Sequence, residues 1–277
     1  MIDMFFEMLS YPFMVRAFVV GILVSLCSAL LGVSLVLKRY SMIGDGLSHV
    51  GFGALAAAAA LNAAPLAVAI PVVVVSAILL LRVNGSSKIK GDAAIALIST
   101  SALAVGIMVI SMTTGMNTDV YNYMFGSILA MSSQDVEMSV LLSAAVLILY
   151  IFFYHKIFAI TFDETFAQAT GVRAGLYNTL IAVLTAVTIV LGMRMMGTLL
   201  ISSLIIFPAL TSMRVCRTFY SVTVSSAVVS VVCFCIGITV SYFFATPAGA
   251  SVVIVNLLML GIYSIAGVLN NQCFYSK

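Results

Sequence analysis

Residues 13–37 read FMVRAFVVGILVSLCSALLGVSLVL, an apolar run broken only by Arg16 near its start. With 1.5 Å of rise per residue, a helix of that length crosses the roughly 30 Å hydrocarbon layer of a bilayer. Comparable runs recur to the end of the chain. Breaks in hydrophobicity set spans at about 13–37, 45–62, 65–83, 93–114, 136–155, 177–193, 197–213, 219–244 and 250–269. The pattern predicts an all-α integral membrane protein. It is a polytopic helical bundle of eight or nine transmembrane segments, forming a single domain over residues 1–277. The 197–213 run holds Pro208 between Arg194 and Arg214 and is expected to be broken rather than straight.

Composition points the same way. Of 277 residues, 63% are hydrophobic and 8% charged, with a mean hydropathy of +1.24. Soluble domains carry about a quarter charged residues. Asp3 and Glu7 stand where a cleavable signal would be basic, so the first run is expected to stay in the membrane. The net charge of +3 comes without a basic patch interleaved with aromatics, so lipid rather than nucleic acid is the expected surrounding. Neither a Walker A pattern nor GxGxxG occurs, so an ATP-driven step would need a separate ATPase chain. The five cysteines form no CxxC pair and read as small packing residues.

Loop charges set an orientation. Lys38 and Arg39, then Arg82, Lys88 and Lys90, then Lys156 and Arg173, then Arg214 and Arg217 follow or bound alternate loops, whereas 63–64, 115–135 and 245–249 hold no Lys or Arg. The positive-inside rule assigns 38–43, 84–92, 156–176 and 214–218 to the cytoplasm. With nine spans the N-terminus lies outside and the C-terminus inside.

Gly44-Asp45-Gly46-Leu47-Ser48-His49 leads into a nearly uncharged tract that ends in Ala56 to Ala60. Four residues apart, Asp45 and His49 share one helix face. A carboxylate and an imidazole in a membrane helix are costly unless they have a task, and together they offer oxygen and nitrogen to a divalent metal. The plainer alternative is a helix-start Asp and a His bonded to a neighbouring helix. Gly44, Gly46, Gly51 and Gly53 thin this helix for close packing, or for a narrow conduit.

Other polar residues read as structural. His155 is expected at an interface, Asp92 as an N-cap, and Asp119, Asp135 and Glu137 as solvated charges of an outer loop. Met193, Met195 and Met196 read as packing more readily than as a soft-metal site. Residues 162–172, FDETFAQATGV, carry acids early and Gly171 late, which predicts a short cytoplasmic helix. Such a helix either docks into a partner's groove or lies on the bilayer as a connector.

Several ordered motifs resemble one family. Lys38-Arg39 with Met42-Ile43-Gly44-Asp45-Gly46-Leu47-Ser48-His49 is similar to the basic residues and GDALSHA segment of the ABC-3 metal permeases. Phe162-Asp163-Glu164, Ala167, Gly171 and Val172 resemble the family's FDxxxAxxxGV loop. The stretch from Gly197 to Ala209 resembles GxLLxxALLIxPA, and Thr246-Pro247-Ala248-Gly249-Ala250 resembles the PTGA turn, with Ala248 where Thr is usual. Gly91-Asp92 and Phe125 to Leu129 also agree with family positions. Gly51-Phe52-Gly53 departs from the family's common LPG.

The resemblance implies the permease of a zinc, manganese or iron ABC importer of the type II kind, in the cytoplasmic membrane. It implies a transport subunit and not an enzyme. It implies a second permease chain, identical or different, a cytoplasmic ABC ATPase that uses the ATP, and an extracytoplasmic metal-binding protein. It implies no permanently bound cofactor, with Zn²⁺ or Mn²⁺ as cargo. Asp45 and His49 would contact the ion. Residues of about 161–174, with Phe162, Asp163, Glu164, Ala167, Gly171 and Val172, would form the coupling helix. The competing expectation is an ion-coupled secondary metal transporter without an ATPase.

Overall fold

The computed structural model describes residues 8, 10–86, 91–113 and 133–275. Every regular element among them is helical: α1 Pro12–Leu37, α2 Met42–Ala60, α3 Pro65–Ser86, α4 Gly91–Met112, α5 Ser133–Phe152, α6 Tyr154–Phe162, α7 Glu164–Ala169, α8 Ala174–Met213, α9 Phe219–Phe244 and α10 Ala248–Tyr275. Eight stretches of these helices are long and apolar enough to cross a membrane. In hydrocarbon a helix bonds its own backbone groups internally, which suits each run to this form.

α8 holds two of the eight stretches, Ala174–Arg194 and Met196–Met213. Its backbone leaves helical geometry at Gly197, with φ 81° and ψ 166°, a region that only glycine adopts readily. Packing shows that the chain turns back there. A methyl group added to Gly192 would meet the Ile201 Cδ1 at 2.4 Å, although residues nine apart on a straight helix lie roughly 13 Å apart. The turn falls at the expected boundary between the 177–193 and 197–213 spans, whereas the further break expected within 197–213 does not form. Pro208 lies within the second arm, which runs on as helix to Met213.

The contacts fix which ends are level. Lys38 meets Glu164 and Asn178 at one end, where Arg39, Lys156, Arg173, Arg214 and Arg217 also lie; we term it the basic end. Asp135 meets Arg194 at the opposite end. Counting the two arms of α8 separately, nine helical passes alternate between these ends among the described residues.

α1 and the second arm of α8 run side by side in the same direction. A methyl on Gly32 would sit 2.0 Å from the Ile205 carbonyl oxygen, so backbone touches backbone at this point. Small residues allow that approach, and close van der Waals packing is what joins helices in lipid. The core around it includes Val24, Leu31, Leu47, Leu55, Ile189, Leu200 and Ile201, all at most 1% exposed.

α2 is not among the eight apolar stretches, yet it is helical along its whole length and packs against α3, α4 and α8. The absence of proline in Gly51-Phe52-Gly53 leaves it unbroken. It starts at the basic end and is long enough to traverse the bundle.

Candidate metal-ion site

α1 ends in a tight link. The amides of Arg39 and Tyr40 bond back to the Val36 and Leu35 carbonyls, and Ile43 N–H bonds the Tyr40 carbonyl. α2 therefore begins at once, and Asp45 lies in its first turn, where the helix dipole favours a carboxylate.

The expected i, i+4 pair forms. His49 Nε2 lies 3.7 Å from Asp45 Oδ2. That is an ion-pair distance and longer than a hydrogen bond, so each group keeps lone-pair capacity for a third atom. The flanking residues explain why these two stand apart. Gly44 faces Ile205 of α8, Gly46 faces Ile95 of α4, and Leu47 is fully buried. Asp45 and His49 lie between, with 46% and 21% of their side chains exposed. The face that bears them is thus open in the single chain.

Sequence reasoning missed Ser202. Its hydroxyl lies 3.4 Å from Asp45 Oδ1 and 3.1 Å from the Thr198 carbonyl. The hairpin at Gly197 brings it there from 157 positions away. Ser48 instead bonds the Asp45 backbone carbonyl at 2.7 Å. Among the described residues no three His, Cys, Asp or Glu groups converge to hold an ion. One chain thus offers one carboxylate and one imidazole, an oxygen and nitrogen pair suited to zinc or manganese.

The second predicted element forms later than expected. Phe162 closes α6, Asp163 is extended at φ −147°, and α7 runs only from Glu164 to Ala169. Asp163 Oδ1 accepts the Phe166 amide at 2.9 Å, so it caps α7 instead of belonging to it. Gly171, at φ 85°, stops the helix, with its amide on the Gln168 carbonyl and the Val172 amide on the Ala167 carbonyl. Ala167 is buried and anchors α7 to the bundle, while Phe162, Phe166 and Glu164 stand out from it. Phe162 rests on the ring of Phe219 at the start of α9.

The remaining polar candidates fall elsewhere. Asp135 is mostly buried and paired with Arg194 at 2.9 Å, contrary to the expected solvated loop charge. Asp119 and the side chains of Asp92 and Met195 lie outside the described residues. Met193 and Met196 are buried, with Met193 against Gly51. His155 is exposed beside the Tyr154 ring.

A model of the ABC 3 transport family matches residues 10–267. The chain belongs to that family. Other members are similar along most of their length. The high-affinity zinc uptake system membrane protein ZnuB of Haemophilus influenzae is 30% identical, over 86% of this chain and 91% of the relative. The manganese transport system membrane protein MntC of Halalkalibacterium halodurans is 28% identical, over 91% and 86%. The solved PsaBC of Streptococcus pneumoniae, in complex with Fab, superposes with a TM-score of 0.86 at 30% identity, covering 95% of both chains. As an ABC 3 family member this is a multi-pass membrane transport component and not an enzyme.

Proposed function

We propose that this chain is the membrane permease of an ATP-driven importer that carries Zn²⁺, with Mn²⁺ as the second reading. The observation that carries this is the open Asp45–His49 pair on α2, the one long helix among the described residues that is not one of the eight apolar stretches. The zinc uptake and manganese transport relatives support a bare divalent cation as cargo.

In this reading two permease chains face each other across the open sides of α2. Two carboxylates and two imidazoles then complete a tetrahedral set, which favours zinc; manganese would add water or other oxygens. Asp45 supplies charge, His49 supplies nitrogen, and Ser202 holds Asp45 in orientation. The 3.7 Å spacing leaves lone pairs of both groups for the ion, and transport requires that the ion be held weakly enough to move on. The basic end faces the cytoplasm. There the exposed Phe162 and Phe166 dock α7 into an ABC ATPase carried on another chain, and a metal-binding protein loads the opposite end. A secondary transporter without an ATPase is disfavoured by membership of an ABC family.

The test is uptake of ⁶⁵Zn²⁺ and ⁵⁴Mn²⁺ by proteoliposomes holding this chain, its ATPase and its binding protein, beside His49→Ala and Asp45→Ala. The expected result is zinc uptake lost in both variants with the complex assembled. Manganese uptake alone would move the proposal to its second reading. Unchanged uptake in both variants would return the pair to a packing role.

A further inference from the structure

Lys38 is a buried charge at the basic end that the metal pair does not use. Its side chain is 10% exposed. Its ammonium lies 3.5 Å from Glu164 Oε2 on α7 and donates to Asn178 Oδ1 on α8. Burial pulls its pKa below the ordinary lysine value, and the nearby Glu164 carboxylate opposes that shift. Its surroundings form a tight cleft that includes Tyr40, Ile43, Asn178, Ile181 and Thr185. Three elements therefore meet on one amine.

The backbone on either side of that amine is firmly held. The Lys38 amide bonds the Ser34 carbonyl, Arg39 turns the chain in the left-handed region at φ 61°, and the Tyr40 amide bonds Leu35. α2 starts at Met42, and Asp45 follows less than two turns after Lys38. A displacement of Lys38 is thus passed to the helix carrying Asp45 and His49. Glu164, on the other side of the contact, stands half-exposed on α7 beside the two exposed phenylalanines. If α7 moves and Lys38 does not follow, a buried ammonium loses its only carboxylate among the residues named, and such a loss is costly.

We propose that Lys38 is a positioning residue that ties α7 to α2, so that movement of α7 with its docked ATPase repositions Asp45 and His49. This rests on the reading of α7 as the docking element and of Asp45 and His49 as the ion's ligands. Lys38 touches neither the ion nor the ATPase. Its role is read in the number of ions moved per ATP hydrolysed.

The experiment measures ⁶⁵Zn²⁺ and ⁵⁴Mn²⁺ uptake and phosphate release in the same proteoliposomes, with the whole complex. Lys38→Met is expected to lower ions moved per ATP by about tenfold, within the range of coupling between linked sites, while hydrolysis stays within about twofold. Lys38→Arg is expected to restore most of the ratio. Glu164→Gln, an exposed change that leaves the core intact, is expected to lower the ratio too, and to add nothing to Lys38→Met. An unchanged ratio in Glu164→Gln, or uptake and hydrolysis falling in equal proportion in Lys38→Met, would overturn the proposal in favour of a purely structural lysine. Phe166→Ala separates this from the underlying reading. If Phe166→Ala keeps full assembly and coupling, the docking role of α7 fails. If it loses them while the Lys38 and Glu164 variants keep a normal ratio, only the role of Lys38 fails.

Discussion

The Arg194 guanidinium lies 2.9 Å from the Asp135 carboxylate, joining the first turn of α5 to the α8 hairpin at the end away from Lys38. Both side chains are largely buried. Removing one partner leaves a charge without its counterpart, which costs several kcal/mol when fully buried and about 1–3 kcal/mol at this partial exposure. Asp135→Asn should lower the thermal unfolding midpoint in detergent. Adding Arg194→Met should recover part of the loss, since the stranded charge is then gone. A double variant no better than Asp135→Asn would count against this pairing.

Gly32 marks a close backbone approach of α1 to the second arm of α8. An alanine there places its methyl 2.0 Å from the Ile205 carbonyl oxygen, and backbone cannot rotate aside as a side chain can. Gly32→Ala should cost about 1–3 kcal/mol or more and reduce the amount of folded protein recovered. Gly261→Ala is the matched control, because nothing lies within 4 Å of its added methyl. Fluorescence-detected gel filtration of the two variants distinguishes them.

Ser202 touches Asp45 through one long hydrogen bond at 3.4 Å. Such a bond contributes about 0.5–1.5 kcal/mol, so Ser202→Ala should weaken the half-saturating metal concentration by up to about tenfold. Maximal uptake should change less. Loss of all uptake would make Ser202 a ligand in its own right.

Asp163 caps α7 through the Phe166 amide. Asp163→Ala should remove about 1 kcal/mol of local stability and Asp163→Asn much less, since Asn also caps well. The measurement is hydrogen exchange at residues 164–170, together with retention of the ATPase on the purified complex. Both should fall in the Ala variant and stay near normal in the Asn variant.

The passes were legible because each apolar run is long and each gap is polar or short. The Asp45–His49 pair was legible because helical spacing alone puts four-apart residues on one face. Ser202 was not, since one serine in Ser202-Ser203 looks like another until the turn at Gly197 aims it back at α2. The Asp135–Arg194 pair was hidden for the same reason: partners on different helices leave no spacing signal. The start of α7 was misjudged because Phe162 and Asp163 are apolar and polar in a helical pattern. The capping bond to Phe166, visible only in the structure, separates them. The boundary between the 177–193 and 197–213 runs was legible and is made by the positive φ of Gly197, whereas Pro208, expected to break the second run, is carried within its helix.

α2 has a further consequence for how the protein is made. It carries two polar groups, is not among the helices apolar enough to cross by themselves, and finds Ser202 only in α8. The ribosome delivers α2 well before α8 exists. The short 61–64 link joins α2 directly to α3, which is among the apolar stretches, so the two are expected to enter the bilayer together. The same polarity that fits α2 for handling an ion thus makes its membrane entry dependent on the segments synthesised around it.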